Sequence, residues 1–100
     1  MNQELEIFVL NEIGKNSEIS QRELAGKFEV SLGKINFIIK ELTKKGYIKI
    51  IRFAKAENKM KYKYILTPEG IENKFKITKR FVERKIKEYE KLLDEIGEKQ

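Results

Sequence analysis

Cysteine and histidine are both absent from this chain of 100 residues. Their absence excludes disulfides, thiolate nucleophiles, imidazole general bases and the usual zinc ligands. There is also no glycine-rich phosphate loop and no carboxylate pair set apart among apolar residues. Catalysis would have to rest on carboxylates, lysines, tyrosines or serines alone, so the chain reads as something other than an enzyme, with no cofactor and no metal expected. No apolar run approaches the ~18 residues of a membrane span, and no basic-then-apolar leader is present, which makes a cytoplasmic protein with no membrane partner the expectation. Proline occurs once, and hydrophobic residues make up 40%. That is enough apolar material for a single folded domain with a modest core.

Charge is plentiful but uneven. The net charge is +6, yet residues 1–30 carry three basic and six acidic side chains, whereas residues 31–61 carry nine basic and two acidic. A localised basic block is the electrostatic footprint of a polyanionic partner. A solvated lysine-rich surface, of the kind found in thermophile proteins, explains the total equally well. The choice between them rests on what the block is built into.

Residues 3–14 have helical periodicity, with Leu5, Phe8, Val9 and Ile13 on one face and Ile7 and Leu10 on another. A helix apolar on two faces needs two partners, so it is expected between the core and another long helix. In "EISQREL", Ser20 and Glu23 have capping-box spacing, and Ile19 and Leu24 form the matching hydrophobic staple of a second helix carrying Leu24, Ala25 and Phe28 inward. After the short connection "EVS", Ser31 caps a third helix that ends at "KKG" with Gly46. At 100° per residue, Ile35, Ile38, Ile39 and Leu42 of that helix form a buried stripe. Gly33, Phe37, Lys40 and Lys44 gather at the opposite pole, with Lys34 to one side and Asn36 at a flank.

Two helices joined by about three residues are the layout of a helix-turn-helix. "YIKIIRF" and "KYKYIL" then suit half-exposed strands, with Glu57-Asn58-Lys59 as the expected hairpin tip, so that a basic wing carrying Arg52, Lys55, Lys59 and Lys61 follows. Thr67 caps a last helix with Pro68 in its first turn. Ile71, Phe75, Thr78, Val82, Ile86, Tyr89, Leu93 and Ile96 fall within about 80° of arc at 100° per residue, a largely apolar stripe that nothing breaks until Gly97. A helix of nearly thirty residues runs about 43 Å, longer than a domain of this size covers by itself. Part of the stripe is expected to pair with a second copy, through Ile7, Leu10, Phe75, Val82, Ile86, Tyr89, Leu93 and Ile96.

The whole pattern, "SQRELAGKFEVSLGKINFIIKELTKKGYI" followed by a wing and "LTPEG", resembles MarR-type winged helix-turn-helix regulators. "VSLGKIN" and "LTPEGIE" look most like the small EPS-associated subgroup. The resemblance implies an α+β, mostly α fold, with residues 1–67 as a DNA-binding winged helix and residues 68–97 as a dimerisation helix of the same compact unit. It implies a sequence-specific homodimeric regulator of double-stranded DNA, with helix 31–45 in the major groove and the wing on the backbone or minor groove. Carried over by position, the reading residues are Gly33, Lys34, Asn36 and Phe37, with Ser31 at the helix start. Lys34, Lys40 and Lys44 suit phosphate or guanine contacts, Asn36 an adenine edge and Phe37 a thymine methyl.

The chain departs from the pattern in three places. Glu29 stands where the turn usually has glycine, so either it takes a positive φ or the turn is shaped differently. The wing's "AENKMK" lacks the family's usual arginine. The additional N-terminal helix of larger members is missing, which argues against a small-molecule effector pocket of the family type. A winged helix used as a protein-interaction module, or one that binds RNA, is the alternative reading.

Overall fold

The computed structural model describes residues 3–55 and 59–97. Four helices and one hairpin make up the chain: α1 (Gln3–Lys15), α2 (Gln21–Phe28), α3 (Leu32–Lys44), β1 (Ile48–Lys55), β2 (Lys59–Leu66) and α4 (Pro68–Glu95). The core is formed mainly by Val9, Leu10, Ile13, Leu24, Ile35, Ile38, Ile39 and Leu42, with Ile48 and Tyr64 supplied by the hairpin. α1 packs against α2, against β2 and against α4. That bears out the expectation of two partners for a helix apolar on two faces.

Two readings of α1 are corrected. Phe8, expected in the core, is 42% exposed, and its ring stacks on Phe28 with centroids 5.9 Å apart. The buried arc runs from Leu5 through Val9 and Ile13 to Leu10 and Ile7, and Phe8 falls about 60° beyond its edge at 100° per residue. Glu6 lies inside that arc and is buried with it. Ile7 and Leu10, expected to face a second copy, are 5% and 0% exposed within this subunit. Their surface is already used by the subunit's own packing, which leaves none for a partner chain.

The helix ends follow their capping residues. Ser20 Oγ accepts from the Glu23 amide at 3.0 Å while the Glu23 carboxylate accepts from the Ser20 amide at 3.0 Å, closing the expected capping box. Glu23 has its pKa lowered by these contacts, first by the Ser20 backbone amide, then by the Ser20 side chain, and weakly by Lys61. Thr67 Oγ1 caps α4 through the Gly70 amide at 2.9 Å and donates to the Gly46 carbonyl at 2.5 Å. That second bond ties the start of α4 to the end of α3. Gly46 takes φ 80°, a left-handed turn that suits glycine.

The strands are longer than expected. β1 and β2 pair antiparallel from Ile48↔Leu66 to Lys55↔Lys59, so Ala54, Lys55, Lys59 and Met60 belong to the ladder rather than to the tip. Cross-strand pairing extends past the Ile/Tyr-rich stretches because backbone hydrogen bonding does not depend on side-chain polarity. Glu57 and Asn58 of the expected tip lie outside the described residues.

α4 projects from this body. The molecule measures 62 × 27 × 21 Å, with a radius of gyration of 17.0 Å. A compact chain of this length would have about 13 Å. Ile77 packs against the core, and Gly70 lies buried against Tyr47, whereas Ile71, Phe75, Val82, Ile86, Tyr89, Leu92, Leu93 and Ile96 are all exposed. Among the described residues, no helix is long and apolar enough to cross a membrane.

Candidate nucleic-acid interface

The placement of α3 follows from its two ends and one face. Glu29 takes φ 54° and ψ 45°, so the turn uses a left-handed glutamate where glycine would be easier. Its conformation costs roughly 1 kcal/mol. Val30 N–H then donates to the Ala25 carbonyl at 3.0 Å, closing the turn. Ser31 Oγ accepts from the Lys34 amide at 3.0 Å, which starts α3. Ile35, Ile38, Ile39 and Leu42 are essentially inaccessible, and their burial fixes which way the helix faces.

The opposite face is the one expected. Gly33, Lys34, Phe37, Lys40 and Lys44 are all exposed, Phe37 at 55%. Among the described residues, the lysines of α3 form no ion pair with a carboxylate. A Cβ added at Gly33 would meet only Ser31 Oγ, at 4.0 Å. Nothing in the subunit therefore requires glycine there. Ser31 is exposed at the helix start, as expected, with its hydroxyl engaged in the cap.

Asn36 is different. It is half-buried, and its Nδ2 donates to Gln21 Oε1 at 3.2 Å. Gln21 Nε2 in turn donates to the Tyr64 hydroxyl at 3.3 Å. Gln21 and Tyr64 were not among the sequence-based candidates, nor were Arg22 and Leu32, which join them around an open groove of about 490 Å³ between β2 and the starts of α2 and α3. The available signal was weak: Gln21 and Arg22 follow a helix cap, and Leu32 follows another, positions that a periodicity count treats as surface.

The hairpin does not bring all its basic residues together. Arg52 pairs with Tyr62, while Lys61 pairs with Phe53, so alternation puts Arg52 and Lys61 on opposite faces of the ribbon. Both are exposed. Lys49 and Lys63 share the Lys61 face, where Lys63 Nζ sits 5.3 Å from the Phe53 ring centroid. The side chains of Lys55 and Lys59 lie outside the described part of the structure. Among the described residues, no cluster of acidic side chains suits a metal ion.

A compact three-helix unit with an antiparallel hairpin after its exposed third helix decides the architecture. The fold is a winged helix. Residues 4–49 match the family described as winged helix-turn-helix DNA-binding. Among solved structures, this winged helix is similar to a PadR-like transcriptional regulator from Bacillus cereus, at 21% identity over 88% of this chain and 90% of that one, with a TM-score of 0.76. It is similar to the Multiple Antibiotic Resistance Repressor, MarR, at 22% identity over 93% of this chain and 65% of that one, with a TM-score of 0.69. It is also similar to Streptococcus pneumoniae FabT, solved in complex with DNA, at 22% identity over 92% of this chain and 66% of that one, with a TM-score of 0.60. Among curated proteins, none matches the chain.

Proposed function

We propose that this winged helix is a sequence-specific, double-stranded DNA-binding transcriptional regulator that acts as a homodimer. The observation that carries the reading is the uncompensated basic face of α3, exposed opposite a fully buried stripe in a helix-turn-helix. In this reading α3 enters the major groove, where Lys34, Lys40 and Lys44 meet phosphates or guanines, Asn36 an adenine edge and Phe37 a thymine methyl. The wing lies along the backbone or in the minor groove, with Arg52 on one side and Lys61, Lys55 and Lys59 supplying charge. FabT, which shares the fold, was solved with DNA.

The pairing element is α4, with residues 1–67 as the reading unit and 68–97 as the helix that joins two copies. Two-fold pairing doubles the phosphate contacts and suits half-sites about 34–36 Å apart. Support comes from the apolar stripe left uncovered by its own subunit, far more than isolated exposed side chains provide. Stripe positions from Ile71 to Ile96 recur at close to 3.6 residues per turn, so the row runs straight along the helix. Within MarR-type regulators, "VSLGKIN" and "LTPEGIE" favour the EPS-associated subgroup.

The test is a salt titration of binding to a duplex selected from a random pool. A dimer using these cations should show a log-log slope of at least about three phosphates' worth of counterion release. A shallower slope, or no selected sequence, favours a protein-binding module and sinks the DNA reading.

A further inference from the structure

The hydrogen bonds from Asn36 to Gln21 and from Gln21 to Tyr64 run in one direction across three elements: α3, the start of α2 and β2. We propose that Gln21 and Tyr64 are positioning residues for base reading, which hold the Asn36 carboxamide in a fixed orientation and tie it to the wing. This inference rests on the reading of α3 as a DNA-contacting helix.

The chemistry starts from how many bonds each group can make. Asn36 Nδ2 carries two hydrogens, of which one goes to Gln21. The other hydrogen and Oδ1 remain, and a donor beside an acceptor is what the major-groove edge of adenine complements through N7 and the N6 amino group. Gln21 is engaged at both ends of its amide, its oxygen by Asn36 and its nitrogen by Tyr64. An amide bonded at both ends cannot flip without breaking two bonds. Tyr64 is 4% exposed, and its backbone amide donates to the Ser17 carbonyl at 2.8 Å, so the far end of the relay is anchored in the core. Asn36 thus needs little ordering when DNA arrives, and a displacement of β2 at Tyr64 is felt at the reading helix. Ordering a free carboxamide would otherwise be deducted from the gain of each correct base pair.

The experiment measures base preference at every position of the selected duplex for the full chain and for Asn36→Ala, Gln21→Ala, Tyr64→Phe and the double variant of Asn36→Ala with Gln21→Ala. Asn36→Ala should relax preference at one base pair in each half-site. Gln21→Ala should lose about five- to tenfold discrimination at that same pair, as expected for one side chain that must now be ordered on binding, and leave affinity for non-specific duplex unchanged. Tyr64→Phe, which keeps the buried ring, should act at the same pair with about a threefold loss. In the double variant, Gln21→Ala should add nothing to Asn36→Ala, because its effect passes through that side chain. Full discrimination after both Gln21→Ala and Tyr64→Phe, or multiplying effects in the double variant, overturns the relay alone. A wild-type chain with no base preference at any position overturns the DNA reading and the relay together.

Discussion

Gly33→Ala separates a glycine kept for folding from one kept for a partner. In the free subunit the added methyl would have Ser31 Oγ at 4.0 Å as its nearest neighbour, and the residue is helical without a positive φ. Alanine should therefore stabilise the fold by about 0.5–1 kcal/mol, through helix propensity and a less flexible unfolded chain. For a domain of this size that raises the melting temperature by about 2–8 °C. On DNA the sign reverses. If a base edge or phosphate approaches the helix backbone at Gly33, the methyl must displace it, and overpacking of a close interface costs about 1–3 kcal/mol, or about 5- to 150-fold in affinity. Urea unfolding and fluorescence anisotropy with the selected duplex read the two effects separately. Gly26→Ala, whose Cβ would meet nothing within 4 Å, is the control that should gain stability without losing affinity. A Gly33→Ala variant that is more stable and binds with wild-type affinity would refute the close-approach argument.

Glu29→Gly should stabilise the chain by about 0.5–1 kcal/mol in urea unfolding, since the left-handed φ of 54° is strained for glutamate and open to glycine. Gly70→Ala should destabilise it by about 3 kcal/mol, because a Cβ there would lie 1.9 Å from the Tyr47 carbonyl oxygen, which is backbone and cannot swing aside. Glu23, with its pKa lowered mainly by the Ser20 amide, contributes stability above the unfolded carboxylate range and loses it as pH falls through the lower folded value. A carbon-detected NMR titration should show Glu23 protonating at lower pH than a free glutamate, and Ser20→Ala should return it only part of the way, since alanine removes the hydroxyl but keeps the backbone amide that lowers the pKa most. If two copies pair through α4 as proposed, replacing Ile86 and Leu93 together by glutamate should give a monomer in sedimentation equilibrium while leaving the helical content of the remaining domain intact, since both side chains are about half exposed in one subunit.

Much of the fold was legible because local signals and tertiary needs agreed. The capping box at Ser20, the serine cap at Ser31, the threonine-proline start of α4 and the left-handed Gly46 are each set within four residues of chain. The buried stripe of α3 was equally clear from its period. What the sequence could not resolve was settled by partners distant along the chain. Periodicity shows that α1 is apolar on two sides, but not that the subunit's own packing of α1 against α2, β2 and α4 leaves Ile7 and Leu10 buried. The helical wheel places Phe8 inward because it cannot tell the middle of a buried arc from a position beyond its edge. Nothing in the local sequence marks Gly70, because what requires glycine there is the Tyr47 backbone, 23 positions earlier in the chain.

The candidate site divides in the same way. Outward cations on α3 are a one-dimensional property of that helix, and counting residues found them. Asn36 was found by the same count, yet the state of its amide depends on Gln21, 15 positions earlier, and through it on Tyr64, a further 43 positions along from Gln21. No pattern within a single element marks such a chain of polar groups. Asn36 and Gln21 are half-buried and Tyr64 is buried, sites where a missing partner would cost about 1–3 kcal/mol, so each polar group depends on the one it is bonded to. In the proposed reading, a helix whose base-reading amide is held by two other elements cannot be transplanted with its sequence alone. Grafting residues 31–45 onto another winged helix should carry over the lysine contacts and their salt dependence, but not the base preference of Asn36, unless residues equivalent to Gln21 and Tyr64 are grafted too.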